Sequence, residues 1–194
     1  MNVRTQVVIL AAFAILVITS KSIALEVDDD LKIKGTSPWI DVTHPDYGAD
    51  PNDNLSDTAA VQAAIDALPA DGGVIFFPKG TYIINGLSCT NAGTVVFSGM
   101  GNSTVLTRTS AQAILASSEP NSIVIIQSLT IDGANLAAPG IGISHASLVR
   151  LENLNIKSCG IPGYEVGHRG AIDGVYISNT ETVIVKSCIF EDCE

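Results

Sequence analysis

Aromatic residues make up only 5% of this sequence, and Lys and Arg together number 10 against 20 Asp and Glu. The formal net charge of −10 makes nucleic acid or an anionic membrane surface a poor partner. It also weighs against a direct grip on an acidic polysaccharide, unless local basic residues or a bridging metal intervene. Four cysteines are present, without a CxxC pair or a Cys/His cluster at ligand spacing, so core packing is a better reading than metal binding. There is no phosphate-cradling glycine loop, no metal-spaced His pair and no Ser/His/Asp arrangement. Only one stretch of the chain beyond the N-terminus reads convincingly as a helix.

The one long apolar run is Val7–Ile18, too short for a comfortable membrane span. Arg4 precedes it, and Ser22 and Ala24 place small residues where a signal peptidase cuts. Residues 1–24 are therefore expected to be a secretory signal peptide, with an uncleaved anchor as the alternative. Their removal takes away Arg4 and Lys21 and no acidic residue, leaving the rest more acidic still. A leader over 25–38 carries Asp28, Asp29 and Asp30. Ordered structure is expected from Ile40, and one domain over 39–194 follows from the length.

Ser56 or Asp57 can cap a helix running to about Leu68, with Val61, Ile65 and Leu68 on one stripe and Pro69 as its stop. Short strands are expected at Val74–Phe77, Thr81–Ile84, Thr94–Phe97 and Thr104–Leu106. Ala111–Ser118 reads as strand or helical turn. Beyond it a pattern recurs: Ile126–Asn135, Leu151–Gly160 and Val185–Glu194 lie over one another. Each is an aliphatic residue, two polar positions, an apolar–x–apolar triplet and a polar turn. A triplet of period two puts alternate side chains on one face. So small a unit cannot bury that face alone and must stack on its neighbours, which predicts an all-β solenoid. The lone helix would cover its open first coil. In this register Cys159 stacks on Cys193, as a disulfide or an unbonded pair. Cys188 takes the core register of Leu129 and Leu154, and Cys89 has no evident partner. The last unit has no polar cap, so the chain is expected to be the N-terminal part of a longer solenoid, or a truncated product.

Three segments carry a family resemblance. They are Tyr47–Asp50, Ser56–Ile65 and Gly72–Tyr82, followed by Ser98–Leu106 with its Gly-x-Gly-x-x-Thr-Val-Leu pattern. Together they resemble the N-terminal signature of the pectate lyase superfamily, which includes rhamnogalacturonases, polygalacturonases, epimerase-like lyases and phage tailspike domains. The resemblance implies a right-handed single-stranded parallel β-helix with an N-terminal capping α-helix. It implies a secreted, polysaccharide-active protein resembling enzymes that cleave uronate-rich glycans. The alternative is a non-catalytic carbohydrate-binding or structural module, such as an adhesin or tailspike-like stem, or an inactive fragment. No membrane contact is expected once the signal is cleaved.

Hydrolysis would need two or three converging carboxylates. Elimination would need a base beside the uronate carboxyl, with Ca²⁺ or an Arg stabilising the developing charge. The best local candidate for either is the insertion Ile161–Gly174. There Asp173, His168 and Arg169 are the candidate catalytic residues, and Tyr164 and Glu165 the candidate sugar contacts. A merely solvated polar loop is the plainer reading. Asp173–Gly174 with Glu191–Asp192 faintly resembles polygalacturonase motifs, but Ala171 and Ile172 stand where Asn-Thr would be. A charged turn ladder of Asp132, Lys157 and Glu191 is the simpler account. Asp50, Asp53 and Asp57 read as turn and cap carboxylates, and His44 and His145 as structural residues. No metal ligand set is expected from the residues themselves, and Ca²⁺ enters only with a lyase.

Overall fold

The computed structural model of the chain describes residues 38–160 and 174–193. The signal-peptide and leader residues up to 37 lie outside this range. The elements in order are β1 (Trp39–Asp41), α1 (Thr58–Asp66), β2 (Gly72–Phe76), β3 (Gly80–Ile83), β4 (Leu87–Cys89), β5 (Thr94–Ser98), a 3-10 turn (Gly101–Ser103) and β6 (Thr104–Thr107). After these come β7 (Leu115–Ser117), β8 (Ile123–Leu136), β9 (Ile141–Ser144), β10 (Leu148–Cys159), β11 (Val175–Ser178), β12 (Thr182–Lys186) and β13 (Ile189–Glu191).

The strands are short because a polar or glycine corner interrupts each apolar triplet. They form two sheets. One runs β1-β2-β5-β8-β10-β12, extended by β3, β6 and β13, and the other runs β11-β9-β7-β4. Every ladder is parallel. β8 and β10 are long because each is two strands joined at a corner. The front of β8 pairs with β5 and its rear with β6. The corners are Ser128 and Asn153, and Ser187 stands between β12 and β13. All three adopt left-handed φ values of 52–56°. Asn and Ser tolerate that conformation because a short polar side chain can bond locally.

Each inward position stacks on its register partner in the neighbouring strand. Ile75, Phe97, Ile126 and Leu151 form one such row, and Leu106, Ile131 and Ile156 another. All seven are buried. Burying a side chain of this size contributes roughly 1.5–3 kcal/mol, so rows of this kind are the main stabilising term. Asp132, Lys157 and Glu191 are register partners, as the ladder reading expected, but they lie on the strands β8, β10 and β13 and not on a turn. Lys157 Nζ lies 3.3 Å from Asp132 Oδ2.

The strand expected at Val74–Phe77 is buried on one face only. Ile75 and Phe77 point inward, while Val74 and Phe76 are half-buried. The 111–118 ambiguity resolves as strand at β7, and β4 was not foreseen at all. Close approach requires glycine at Gly72 and Gly93, among other positions. A Cβ on Gly72 (φ 94°) would fall 1.9 Å from the Thr94 carbonyl oxygen, and one on Gly93 would fall 2.2 Å from the Asp71 carbonyl carbon.

Helix α1 buries Val61, Ala64 and Ile65. Asp57 occupies its N-cap position, yet makes no cap bond to the helix. Its carboxylate accepts instead from the Asp50 amide at 2.9 Å and the Ile83 amide at 3.0 Å. Burial pushes this carboxyl above the usual carboxylate value, against the two amide bonds. Thr58 and Gln62 complete the attachment. Thr58 Oγ1 accepts from the Asn85 amide, and Gln62 bonds both the amide and the carbonyl of Ser88. The helix is thus tied by side chains to the backbone around β3 and β4.

Candidate functional site

The second sheet has one face in the core and one outward. Leu87, Leu115 and Ile141 are buried in register, and Ser88, Ala116, Gly142 and Tyr176 alternate with them on the outside. The outward row therefore crosses four strands with three small residues and ends on an aromatic ring. Small side chains leave a trough of about 270 Å³, lined also by Ser117, Ser118, Ile143 and Ser144. Tyr176 stands 41% exposed at one end. Gly142 is small without being sterically forced, since a Cβ there would meet only the Ala113 Cβ at 3.8 Å.

At one rim the strands turn into left-handed residues. His145 (φ 63°) follows β9 and Asn179 (φ 49°) follows β11. Asn179 Nδ2 and His145 Nε2 are 3.4 Å apart, so the two side chains bridge neighbouring strands. The lining offers hydroxyls, backbone and one ring, and no ionised group. That suits hydroxyl-rich ligands held by stacking and neutral hydrogen bonds. Among the described residues, no group of three His, Cys, Asp or Glu is placed to hold a metal ion.

Arg108 supports this sheet from within. It is 2% exposed and donates only to main-chain carbonyls. Nε bonds Gly133 at 2.8 Å, Nη1 bonds Gln112 and Pro139 at 2.8 Å, and Nη2 bonds Leu136 at 2.7 Å and Ala138 at 2.6 Å. Burial pulls its pKa down from the ordinary value, though an Arg stays charged at neutral pH. The guanidinium fastens the 133–139 excursion, which leads directly into β9 and the trough floor.

Asp173, His168, Arg169, Tyr164 and Glu165 all lie outside the described residues. The segment bearing them joins β10 to β11, the strand that carries Tyr176. Asp50 and Asp53 hold turns. Asp50 Oδ1 accepts from the Asn52 amide, and Asp53 Oδ1 from the Leu55 amide. Sequence reasoning missed the trough. Its trace was a second recurrence, the triplets Leu87–Cys89, Leu115–Ser117, Ile141–Ile143 and Val175–Ile177, each with its outward residue in the middle.

The sequence pattern of the family described as rhamnogalacturonase A/epimerase, pectate lyase-like matches residues 39–194. No curated protein sequence matches the chain. Among solved structures, ORF18 of Geobacillus virus E2 is similar at 22% identity and a TM-score of 0.56, over 73% of this chain and 28% of that one. The A-module of the mannuronan C-5 epimerase AlgE4 from Azotobacter vinelandii is 17% identical with a TM-score of 0.46, over 78% of this chain and 49% of that one. The chain thus spans less than half the length of either. At its level of identity, the likeness to the viral protein is one of fold.

Proposed function

The chain belongs to the rhamnogalacturonase A/epimerase, pectate lyase-like family, and from that premise we propose that it is a secreted, polysaccharide-active protein. Its sugar chain lies along the trough of the second sheet. In this reading the two sheets are walls of a right-handed parallel β-helix, with α1 covering its first coil. The observation that carries the proposal is the outward row Ser88, Ala116, Gly142 and Tyr176. Parallel strands repeat every ~4.8 Å, a rise comparable with one pyranose unit of an extended glycan, so successive sugars meet successive strands. Tyr176 stacks on the apolar face of one sugar, and the serines bond its hydroxyls.

Cleavage of a uronate-rich glycan would fall to Asp173, His168 and Arg169, with Tyr164 and Glu165 as sugar contacts. Elimination there would use Ca²⁺ or Arg169 to stabilise charge at the uronate carboxyl. A second reading, a non-catalytic carbohydrate-binding module, is favoured by one observation: the trough lining carries no carboxylate or imidazole.

The test is an assay of the full chain on polygalacturonate, rhamnogalacturonan and alginate, with and without Ca²⁺. Reducing ends and the ultraviolet absorbance of unsaturated uronate are read together with binding. Absorbance means a lyase, reducing ends alone a hydrolase, and binding without either the module. Tyr176→Ala should weaken binding about tenfold through the lost stack, with an unchanged melt. Full affinity in a folded Tyr176→Ala protein would remove the trough from consideration.

A further inference from the structure

Cys159 and Cys193 occupy equivalent points on neighbouring passes of the chain. The register Asn155–Ile189, Ile156–Phe190 and Lys157–Glu191 runs directly up to them. Each follows a left-handed residue, Ser158 (φ 52°) and Asp192 (φ 51°), so their backbones leave the sheet alike. Each thiol also lies over a glycine that opens the preceding strand of the second sheet. A Cβ on Gly140 would meet Cys159 Sγ at 3.0 Å, and one on Gly174 would meet Cys193 Sγ at 3.0 Å. Both cysteines are free thiols, so of the two arrangements read from the sequence the unbonded stack is the one present.

We propose that Cys159 and Cys193 are a redox pair, which closes to an intramolecular disulfide when the chain meets a small disulfide oxidant. Stacked Cα atoms about 4.8 Å apart fall within the span a disulfide bridges. Cys159 is wholly buried, whereas Cys193 is half-buried and lines an open apolar cleft of about 310 Å³ with Val185 and Phe190. The oxidant therefore meets Cys193 first. The Cys193 thiolate attacks one sulfur of the oxidant, breaking its S–S bond, and one thiol departs. The Cys159 thiolate then attacks the Cys193 sulfur of the mixed disulfide and expels the second thiol. Two electrons pass from the cysteines to the oxidant, and their two protons end on the released thiols. Burial and the neighbouring Cys193 push the Cys159 thiol up to about 12, so the second step is the slow one.

The crosslink has a physical consequence. β11, β12 and β13 lie between the two cysteines, and among the described residues each pairs on one side only. Val183, Val185, Ile189 and Phe190 on these strands are exposed. The disulfide closes this part of the chain into a ring.

The experiment treats the full chain with oxidised glutathione, blocks remaining thiols and maps peptides without reduction. The expected result is a linked Cys159–Cys193 peptide, two of the four thiols protected, and a melting temperature raised by about 5 °C. Dithiothreitol should reverse all three. Cys188→Ser should retain the link. Cys159→Ser should stop at a glutathione adduct on Cys193 with no gain in melting temperature. The proposal is overturned if wild type keeps the adduct at Cys193, if Cys193 pairs with Cys188, or if Cys188 reacts while the pair stays reduced.

Discussion

Replacing Arg108 with methionine keeps the approximate volume and removes every donor. Five carbonyls, those of Gly133, Gln112, Pro139, Leu136 and Ala138, then lose this donor together, although that of Leu136 still accepts from the Ala138 and Gly160 amides. Two effects oppose each other. Desolvating a guanidinium costs several kcal/mol, and methionine removes that cost. The carbonyls, however, belong to the backbone and cannot be removed with the side chain. At roughly 1 kcal/mol or more for each buried acceptor left unpaired, their loss outweighs the relief. Breaking a buried charged cluster from one side costs about 3–5 kcal/mol, against a total stability of about 5–15 kcal/mol. A urea titration followed by far-ultraviolet circular dichroism should show the midpoint fall by about 1.5–2.5 M, at a slope of about 2 kcal/mol/M. Arg108→Lys, with three donors and no planar fork, should fall about half as far. A shift below about 0.5 M for methionine would refute the reasoning, because the carbonyls would then have found other partners at little cost.

Gly142→Val should fill the trough and reduce glycan binding at least tenfold, about 1.4 kcal/mol, with little change in melting temperature; a normal affinity would place the ligand elsewhere. Gly72→Ala puts a Cβ against the Thr94 carbonyl in a left-handed conformation; it should lose about 3 kcal/mol or more of stability, read from a thermal melt. The Asp57 carboxyl binds its proton more tightly folded than unfolded, because burial raises it. Its contribution to stability is therefore fullest below the ordinary carboxylate value and is lost as pH rises through the raised one. The stability gap between wild type and Asp57→Asn should accordingly be wider near pH ~3 than near pH ~7; a gap independent of pH would contradict the burial argument. Lys157→Gln should cost about 1 kcal/mol or less, since its pair with Asp132 is partly exposed, and chemical denaturation can measure the difference.

The sequence by itself determined which residues face in and which face out, because a strand's period of two is a local property. The overlay of Leu151 on Ile126 is the register that β10 and β8 adopt. The left-handed corners at Ser128, Asn153 and Ser187 read only as polar positions, whereas the helix over Thr58–Asp66 and the turn roles of Asp50 and Asp53 were legible for the same reason. Each follows from residues within a few positions of one another. Tertiary structure decided the rest. Asp57 caps no helical amide, because the Ile83 amide, 26 positions on, competes for its carboxylate. Arg108 looks in sequence like any surface cation; its five acceptors come from a later excursion of the chain that only the fold folds back over it. The trough is likewise invisible in any one triplet. Ser88, Ala116, Gly142 and Tyr176 become a surface only when parallel pairing sets four strands side by side. Spacing along the chain cannot encode that, because the loops between the strands differ in length while the hydrogen-bonded register does not.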